Sequence, residues 1–497
     1  MFHVNDVRNW LRCPRAFWLA RQSRPQSIRF LQLDEPLRLL GRKKLHLSEF
    51  FCGQRGDPNE ATLDALSQSE WLCDARFEYE ELRINIPFIH VTPSGLELYY
   101  LQMGGLPKAQ LIEYYLIHQW VLENLKLPVE DWHILYFNPD YIRGEELDYD
   151  QLLALTDRFF NDYARPASRT IREHLAFHKK DYQPVIEAMR LADEENTKIE
   201  RRIPACLRRL TCQYFEDCFG SQKVPDDSVL YLNGCPDKYD LYDQNIRHIS
   251  EAIPYLQDIN RQQYAQIMAA KNGGLFADRL GLKMWLQEKL VEPLSFLDFE
   301  WNTCLIPPYA GTKPNCYLLF QYSLDVINQK ERQHYDFLGF EDCQKELVKK
   351  LLKDLPQSGS ILTYGGDNAE KLRIRELAER FPDYQEPLLA LCERIVDLSV
   401  LFTSGMIYDL RMRGNYSLKE LLPLFQKEKN YTDLPIGKAM DAVLTYRELS
   451  QNRDPEKEQE LLEYCNLDTY AMILMVEWLI SLSKGETYAE CTDTLAA

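Results

Sequence analysis

Nowhere in its 497 residues does the chain hold an uncharged apolar run of the roughly eighteen residues that a membrane-spanning helix needs. Its first residues, Met1 to Asp6, lack the basic-then-apolar order of a secretory signal. A cytoplasmic location with no membrane partner is the expectation. There is no internal repeat and no low-complexity tract, which excludes solenoids, propellers and linker-like chains. Positive charge is scarce: the net charge is -18, so a uniformly basic coat for nucleic acid is excluded. Disulfide pairing is not expected either. The thirteen cysteines are an odd number, scattered along a chain without a secretory signal, and this suits thiols or metal ligands.

What remains is the composition of a packed protein, 45% hydrophobic, 12% aromatic and 27% charged, in a chain too long for one ordinary core. Two domains and a connector are expected. The basic residues that exist are clustered. One stripe runs from Arg8 through Arg12 and Arg15 to Lys44, and a second holds Arg201, Arg202, Arg208 and Arg209 around Cys206. Such stripes on an acidic protein are compatible with a polyanionic partner, and equally with solvated helix faces.

Pattern divides the chain. Residues 1 to about 75 read as helices. The alternation from Arg83 to Val91, the turn Pro93-Ser94-Gly95 and the run Leu96 to Leu101 read as a β-hairpin. A helix over about 107 to 125, a strand near Trp132 to Phe137 and further helices to about 200 complete an α/β unit. Residues 221–290 read as a helical connector. The run Leu294 to Trp301 then opens a second domain as a buried strand, with Cys316 to Val326 beside it, a helix from Gln344 to Leu355, a third strand from Ser360 to Tyr364, and helices beyond.

Two constellations carry chemistry. Cys206, Cys212 and Cys218 are evenly spaced, and Cys13, followed by Pro14, is the natural fourth ligand. Four thiolates suit a 4Fe-4S cluster, with Zn2+ as the alternative, and the long gap after Cys13 makes the group a staple between distant parts of the chain. An early Cys-Pro with three clustered cysteines far downstream resembles the iron-sulfur-stapled RecB-like nucleases over about residues 1–220. In that family a PD-(D/E)XK site lies between the cysteines. The resemblance sets Asn85 where the metal-binding Asp belongs, Tyr100 and Gln102 where Glu and Lys belong, and Gln119 where the family keeps a Gln. It therefore implies a nuclease fold without cleavage activity that binds nucleic acid, since an amide and a phenol do not supply the charge that holds a divalent cation. A shifted register brings in Glu97 instead.

The second constellation is acidic. Asp298 and Glu300 are two apart on a strand and so share a face. Burying both in so apolar a run costs on the order of several kcal/mol unless a cation lies between them. Thr363-Tyr364-Gly365-Gly366-Asp367-Asn368-Ala369-Glu370 reads as a strand end turning into a helix near Asn368, and offers Glu370 or Asp367. Asp397 can join or support the group. Tyr464 and Asp468, four apart, share a helix face.

In this order the motifs resemble the DnaQ/RNase D exonucleases in their tyrosine form over about residues 290–480. Together with Gly311-Thr312-Lys313-Pro314 and Tyr416-Ser417-Leu418-Lys419 they resemble an uncharacterised bacterial family that joins a RecB-like module to an RNase H-like exonuclease domain, here 291–497. The resemblance implies two Mg2+ or Mn2+ ions on Asp298, Glu300, Glu370 and Asp468, a water positioned by Tyr464, and 3′-to-5′ hydrolysis of single-stranded ends of DNA or RNA. Glu370 departs from the usual Asp. The rival readings are a non-catalytic nucleic-acid-binding adaptor whose two nuclease sites have decayed, and a RecB-like endonuclease.

Overall fold

A computed structural model describes residues 1–22, 35–54, 57–199, 201–207, 212–219, 224–367, 369–426, 431 and 434–485. The chain is a mixed α/β protein that forms two compact units, residues 1–221 with 304–316, and residues 222–303 with 317–497.

The first unit is built on a seven-stranded sheet. Its strands are β1 (Phe2–His3), β2 (Phe51–Cys52), β3 (Trp71–Tyr79), β4 (Leu82–Val91), β5 (Leu96–Gln102), β6 (Val129–Phe137) and β7 (Leu153–Thr156), in the order β2-β3-β4-β5-β6-β7 with β1 paired to β4. Helices Val4–Arg12, Pro14–Gln22, Glu35–Lys44 and Asn59–Ala65 fill the N-terminal stretch. The short strands β1 and β2 and the start of β3 interrupt what the sequence reads as helix alone.

One irregularity in this sheet matters. Leu72, Ala75, Phe77, Ile84, Ile86 and Ile89 face a core shared with Ile117, Trp120 and Val121 of the helix Ile112–Asn124. Cys73 and Phe88 belong to a separate cluster with Tyr99 and Leu135. Strict alternation does not allow this distribution. The break lies at Asp74, whose φ is +50°, between the paired positions Cys73–Phe88 and Ala75–Ile86. The pairing register is the same on both sides of it, so β3 and β4 change facing there together.

The second unit carries β8 (Leu275–Ala277), β9 (Leu294–Cys304), β10 (Cys316–Asn328), β11 (Glu331–Leu338), β12 (Ile361–Thr363), β13 (Ile395–Asp397) and β14 (Ile407–Asp409). Five of them form one sheet, in the order β11-β10-β9-β12-β13. β10 and β11 are antiparallel, while β12 runs parallel to both β9 and β13. β13 and β14 correct the expectation of helices alone after Tyr364: three residues are too few for strand periodicity to show. β14 pairs with β8, and Ala265, Ala269, Leu282 and Leu286 pack into the same core as the C-terminal helix. Residues 222–290 are thus part of this unit rather than a spacer.

β9 is central and buried on both faces. Leu297 and Phe299 pack with Leu347, Leu351, Ile374 and Leu388, whereas Phe296 faces the core that contains Met472, Met475 and Trp478. The helix Pro455–Lys484 supplies that core. Asp454 caps its start by accepting from Glu456 N, Pro455 occupies the first turn, and Gly485 ends it at φ 88°, where glycine escapes the Cβ clash of the left-handed region. Its most apolar stretch has the length and hydropathy of a membrane span, but 72% of that stretch is buried within the fold.

Phe402 is fully buried and stacks on Trp478 at 6.4 Å. Truncation by Phe402→Ala is expected to cost about 3–5 kcal/mol, read as a lowered midpoint of thermal or urea denaturation.

Candidate metal centre

On β9 the alternation that sends Leu297 and Phe299 to one side turns Asp298 and Glu300 to the other, toward the helix Pro455–Lys484. There the carboxylates of Asp298, Glu300 and Asp468 lie within 4.8 Å of one another. Glu300 and Asp468 are each 8% exposed, and Asp298 is half-buried. The sequence reading brought these three together, and they meet.

Glu370 begins the helix Glu370–Arg380. It is 3% exposed, and its Oε2 has no hydrogen-bond partner among the described residues. The turn before it depends on two glycines: Gly365 has φ +78°, and a Cβ on Gly366 would lie 1.9 Å from Thr363 Oγ1 and 3.1 Å from Glu370 Oε2. Burial distinguishes the two candidates here, Glu370 and Asp367. Asp367 is exposed and paired with Lys371, so it does not face the cluster. Asn368, where the helix start was expected, lies outside the described residues. Asp397 supports rather than joins: its Oδ1 accepts from Gly365 N and Ser399 N at 2.8 Å each, which ties the glycine turn to β13.

Electrostatics express the crowding. Burial, and then the negative charges of Asp468, Glu300 and Glu370, hold Asp298 well above the usual carboxylate range. Burial and the charge of Asp468 push Glu300 up to about 8. Burial, with Asp397 and Asp468 adding to it, pushes Glu370 up to about 7. Asp468 rises to about 6 through burial, against which a hydrogen bond from Tyr431 and the charge of Lys419 act. A set of converging carboxylates with an unsatisfied buried oxygen beside it is the donor set of a hard divalent cation. The residues fit Mg2+ or Mn2+.

Tyr464 lies one helical turn before Asp468 and is 2% exposed. Its Oη accepts from Lys419 Nζ at 2.6 Å. Three contacts around the cluster escaped the sequence reading: this lysine, Tyr431, whose hydroxyl donates to Asp468 Oδ1 at 2.5 Å, and Cys465, whose thiol lies 3.3 Å from Asp298 Oδ2. Lys419 was in view only as part of a motif string, and Tyr431 sits in a segment with no periodic signal.

The helix is held in place by β10. Gln321, Ser323 and Asp325 alternate onto one face of the strand and are fully buried. Gln321 Nε2 donates to the Leu461 carbonyl at 2.9 Å, Ser323 Oγ is 2.8 Å from Thr469 Oγ1, and Asp325 Oδ2 accepts from Thr469 Oγ1 at 2.9 Å. Burial alone would push the Asp325 carboxyl up, but hydrogen bonds from His334 and Arg332 outweigh it and bring the carboxyl below its usual range.

The first unit shows the opposite situation. Tyr100 is 3% exposed. It stacks on Trp132 at 5.7 Å and meets Tyr114, Tyr115 and His118 edge-on, and its hydroxyl has no partner among the described residues. The pairs Phe88–Tyr99 and Ile89–Leu98 set Pro87, not Asn85, opposite Tyr100. Asn85 instead donates to the Asp74 carbonyl, and the helix residue beside Tyr100 is His118, while Gln119 bonds Glu123. Gln102 donates to the Gly104 carbonyl. Glu97 is held by His90 at 2.9 Å and Tyr99 at 3.0 Å on the other face from Tyr100. Asn85 also meets this helix, its carbonyl lying 3.2 Å from His118 Nε2.

Cys13, Cys206, Cys212 and Cys218 influence one another electrostatically, but among the described residues no three of their thiols lie within 4.8 Å of one another. The Cys206 thiol is raised by burial and by Cys13 and Cys212 nearby, and the Cys218 thiol by burial and by Cys13 and Cys206. Cys13 Sγ accepts from Ala16 N at 3.3 Å, in the break before the helix Pro14–Gln22. Of the expected phosphate contacts, Arg8, Arg12 and Arg201 are exposed. Arg15 and Arg202 are buried, the first against Trp18 and Glu194, the second against Phe215 and Phe219, which corrects their placement at the surface. Arg208 and Arg209 lie outside the described residues, as does the basic stripe from 23 to 34.

The family model described as Domain of unknown function (DUF2779) matches residues 295–417, a span that holds Asp298, Glu300, Glu370 and Asp397 and ends before Tyr464 and Asp468. No curated protein and no solved structure matches the chain.

The raised carboxyls make cation-free stability fall with pH. Each carboxyl binds its proton more tightly folded than unfolded, so the folded state is penalised as pH rises from the unfolded value near 4 through the folded values of about 6, 7 and 8. In EDTA the thermal midpoint is expected to drop as pH rises from about 6 to 8.5. Glu300→Gln should raise the midpoint at the alkaline end and flatten the drop, and Mn2+ should stabilise the wild type but not Glu300→Gln.

Proposed function

We propose that the chain is a metal-dependent 3′-to-5′ exonuclease that removes nucleotides from single-stranded ends of DNA or RNA, with its first unit serving to bind the nucleic acid. The observation that carries this is the meeting of Asp298, Glu300 and Asp468 within 4.8 Å, with buried Glu370 beside them, from elements as far apart in sequence as β9 and the C-terminal helix. The strand order β11-β10-β9-β12-β13, with the acidic pair on its central strand, supports an RNase H-like reading of this unit.

Asp298, Glu300 and Asp468 would hold one divalent cation, and Glu370 with Asp298 a second. Bound there, such ions supply positive charge to the phosphate oxygens and acidify a nearby water. The residues do the rest. Tyr464 presents its hydroxyl to the attacking water one turn from Asp468. The water oxygen bonds to phosphorus as the bond to the leaving 3′ oxygen breaks. The balance puts the water's hydroxyl on the released nucleotide and its proton on the 3′ oxygen. Asp397 and β10 hold the acids in place and take no part in the reaction.

In the first unit we place a 4Fe-4S cluster, or Zn2+, on Cys13, Cys206, Cys212 and Cys218. The electrostatic influence of Cys13 and Cys212 on Cys206, and of Cys13 and Cys206 on Cys218, supports this. The aromatic filling around Tyr100 favours a RecB-like module without cleavage over the endonuclease reading.

Full-length protein with Mn2+ and a 5′-labelled oligonucleotide is expected to give a ladder of products shortened from the 3′ end, unchanged in Gln102→Ala and reduced at least ~100-fold in Asp298→Asn. Internal cuts that survive Asp298→Asn would overturn this in favour of the endonuclease, and an absence of products in every sample would favour the adaptor. Anaerobically purified protein should absorb near about 400 nm if iron-sulfur is bound, and lose that band in Cys206→Ser, whereas zinc is colourless.

A further inference from the structure

Lys419 is hydrogen-bonded to Tyr464 beside the candidate reaction centre, and neither the acidic motif nor the metal reading accounts for it. It follows Leu418 at the start of the helix Leu418–Phe425. Its Nζ donates to Tyr464 Oη at 2.6 Å and to the Gly437 carbonyl at 3.1 Å. It also lies over the rings of Tyr464 and Tyr431, at 4.6 and 5.0 Å from their centroids. These contacts fix the ammonium from several sides. A lysine has only donors, so the phenol oxygen must be the acceptor in the bond between them. The proton of Tyr464 is then directed elsewhere, and no described residue accepts it.

We propose that Lys419 is a positioning residue that acts through Tyr464: by donating to the phenol oxygen it turns the phenol's own proton toward the acidic cluster and the water held there. This rests on the exonuclease reading for its kinetic consequence. A phenol with a free choice of roles can accept a proton from the water or donate one to it. Once it accepts from Lys419, donation to the water oxygen is the favoured role. That leaves an oxygen lone pair aimed at phosphorus, and it polarises the phenol O–H so that it donates more strongly.

A second consequence does not depend on hydrolysis. The ammonium of Lys419 is fixed on Tyr464 Oη, one helical turn from Asp468. A fixed cation so placed repels a divalent cation, and the repulsion acts on two charges at once. Lys419 therefore moderates how tightly the carboxylates hold metal. Removing its charge should slow the reaction and tighten metal binding, two effects of opposite direction that general damage to the fold does not produce.

The test uses the full-length chain as wild type, Lys419→Met, Tyr464→Phe and the double variant. Turnover is measured with Mn2+ on a single-stranded oligonucleotide, and Mn2+ affinity is measured without oligonucleotide by electron paramagnetic resonance. Lys419→Met is expected to lower kcat roughly 10- to 100-fold with little change in KM, and the double variant to be no slower than Tyr464→Phe, because the lysine acts through the phenol. Mn2+ should bind several-fold tighter to Lys419→Met. Losses that multiply in the double variant overturn the coupling to Tyr464. Weaker Mn2+ binding together with a lowered melting temperature overturns the proposal in favour of a purely structural lysine. If the wild type binds Mn2+ but releases no nucleotide, the exonuclease reading fails by itself. Mn2+ affinity then decides Lys419 alone: tightening in Lys419→Met sustains the charge contact, and no change overturns it.

Discussion

Like charges forced together in a low-dielectric interior set the terms for the whole second unit. Asp298, Glu300 and Asp468 meet within 4.8 Å, with Glu370 buried beside them, and no arrangement of those groups is favourable in isolation. The carboxyls respond by rising toward neutrality, which is the only relief available without a cation. The surrounding structure must hold the side chains against this repulsion. Few features of the fold are as costly, and the packing nearby can be understood as what opposes them.

The opposition comes chiefly from a polar row on β10. Hydrogen bonds from Gln321 to the Leu461 carbonyl, from Ser323 to Thr469 and from Thr469 to Asp325 grip the C-terminal helix on either side of Tyr464 and Asp468. Apolar packing alone allows a helix to slide or rotate by small amounts, since it has no direction. Directional bonds at two points on one helix do not. Asp325 is itself buried and charged, yet it is satisfied by Arg332 and His334. The unit therefore contains two kinds of buried acid, one satisfied by cationic partners and serving as an anchor, and one group crowded against its own kind with Glu370 Oε2 left without a partner among the described residues. Asp397 and the glycine turn do for Glu370 what β10 does for Asp468.

How much of this could be read beforehand follows from which interactions leave a periodic trace. The strand around Asp298, the hairpin from Arg83 to Leu101 and the helix carrying Tyr464 and Asp468 were legible, because spacing of two or four residues reports directly on a face. Glu370 was legible as one of two candidates, and only its burial separates it from Asp367. The strands Ile395–Asp397 and Ile407–Asp409 were not legible, being shorter than a full alternation. Lys419 and Tyr431 reach the cluster across tertiary contacts that no local pattern encodes. The polar row Gln321, Ser323 and Asp325 reads in sequence as the solvent face of an amphipathic strand; only the helix packed over it shows that it faces the interior. Asp74 was not legible either: its positive φ interrupts the alternation of β3 with no change of pairing register, and a hydrophobic pattern does not report φ.

The two units handle buried polar groups in opposite ways. At Tyr100 a phenol is packed among Trp132, Tyr114, Tyr115 and His118, and the helix there gains stacking energy. At Asp298 the reverse holds. Four acids, a glycine turn whose Cβ space is taken up by Thr363 and Glu370, and a clamped helix are together less stable than apolar residues of the same volume would be. A fold that keeps such an arrangement concentrates its strain on one sheet, where the carboxylates converge.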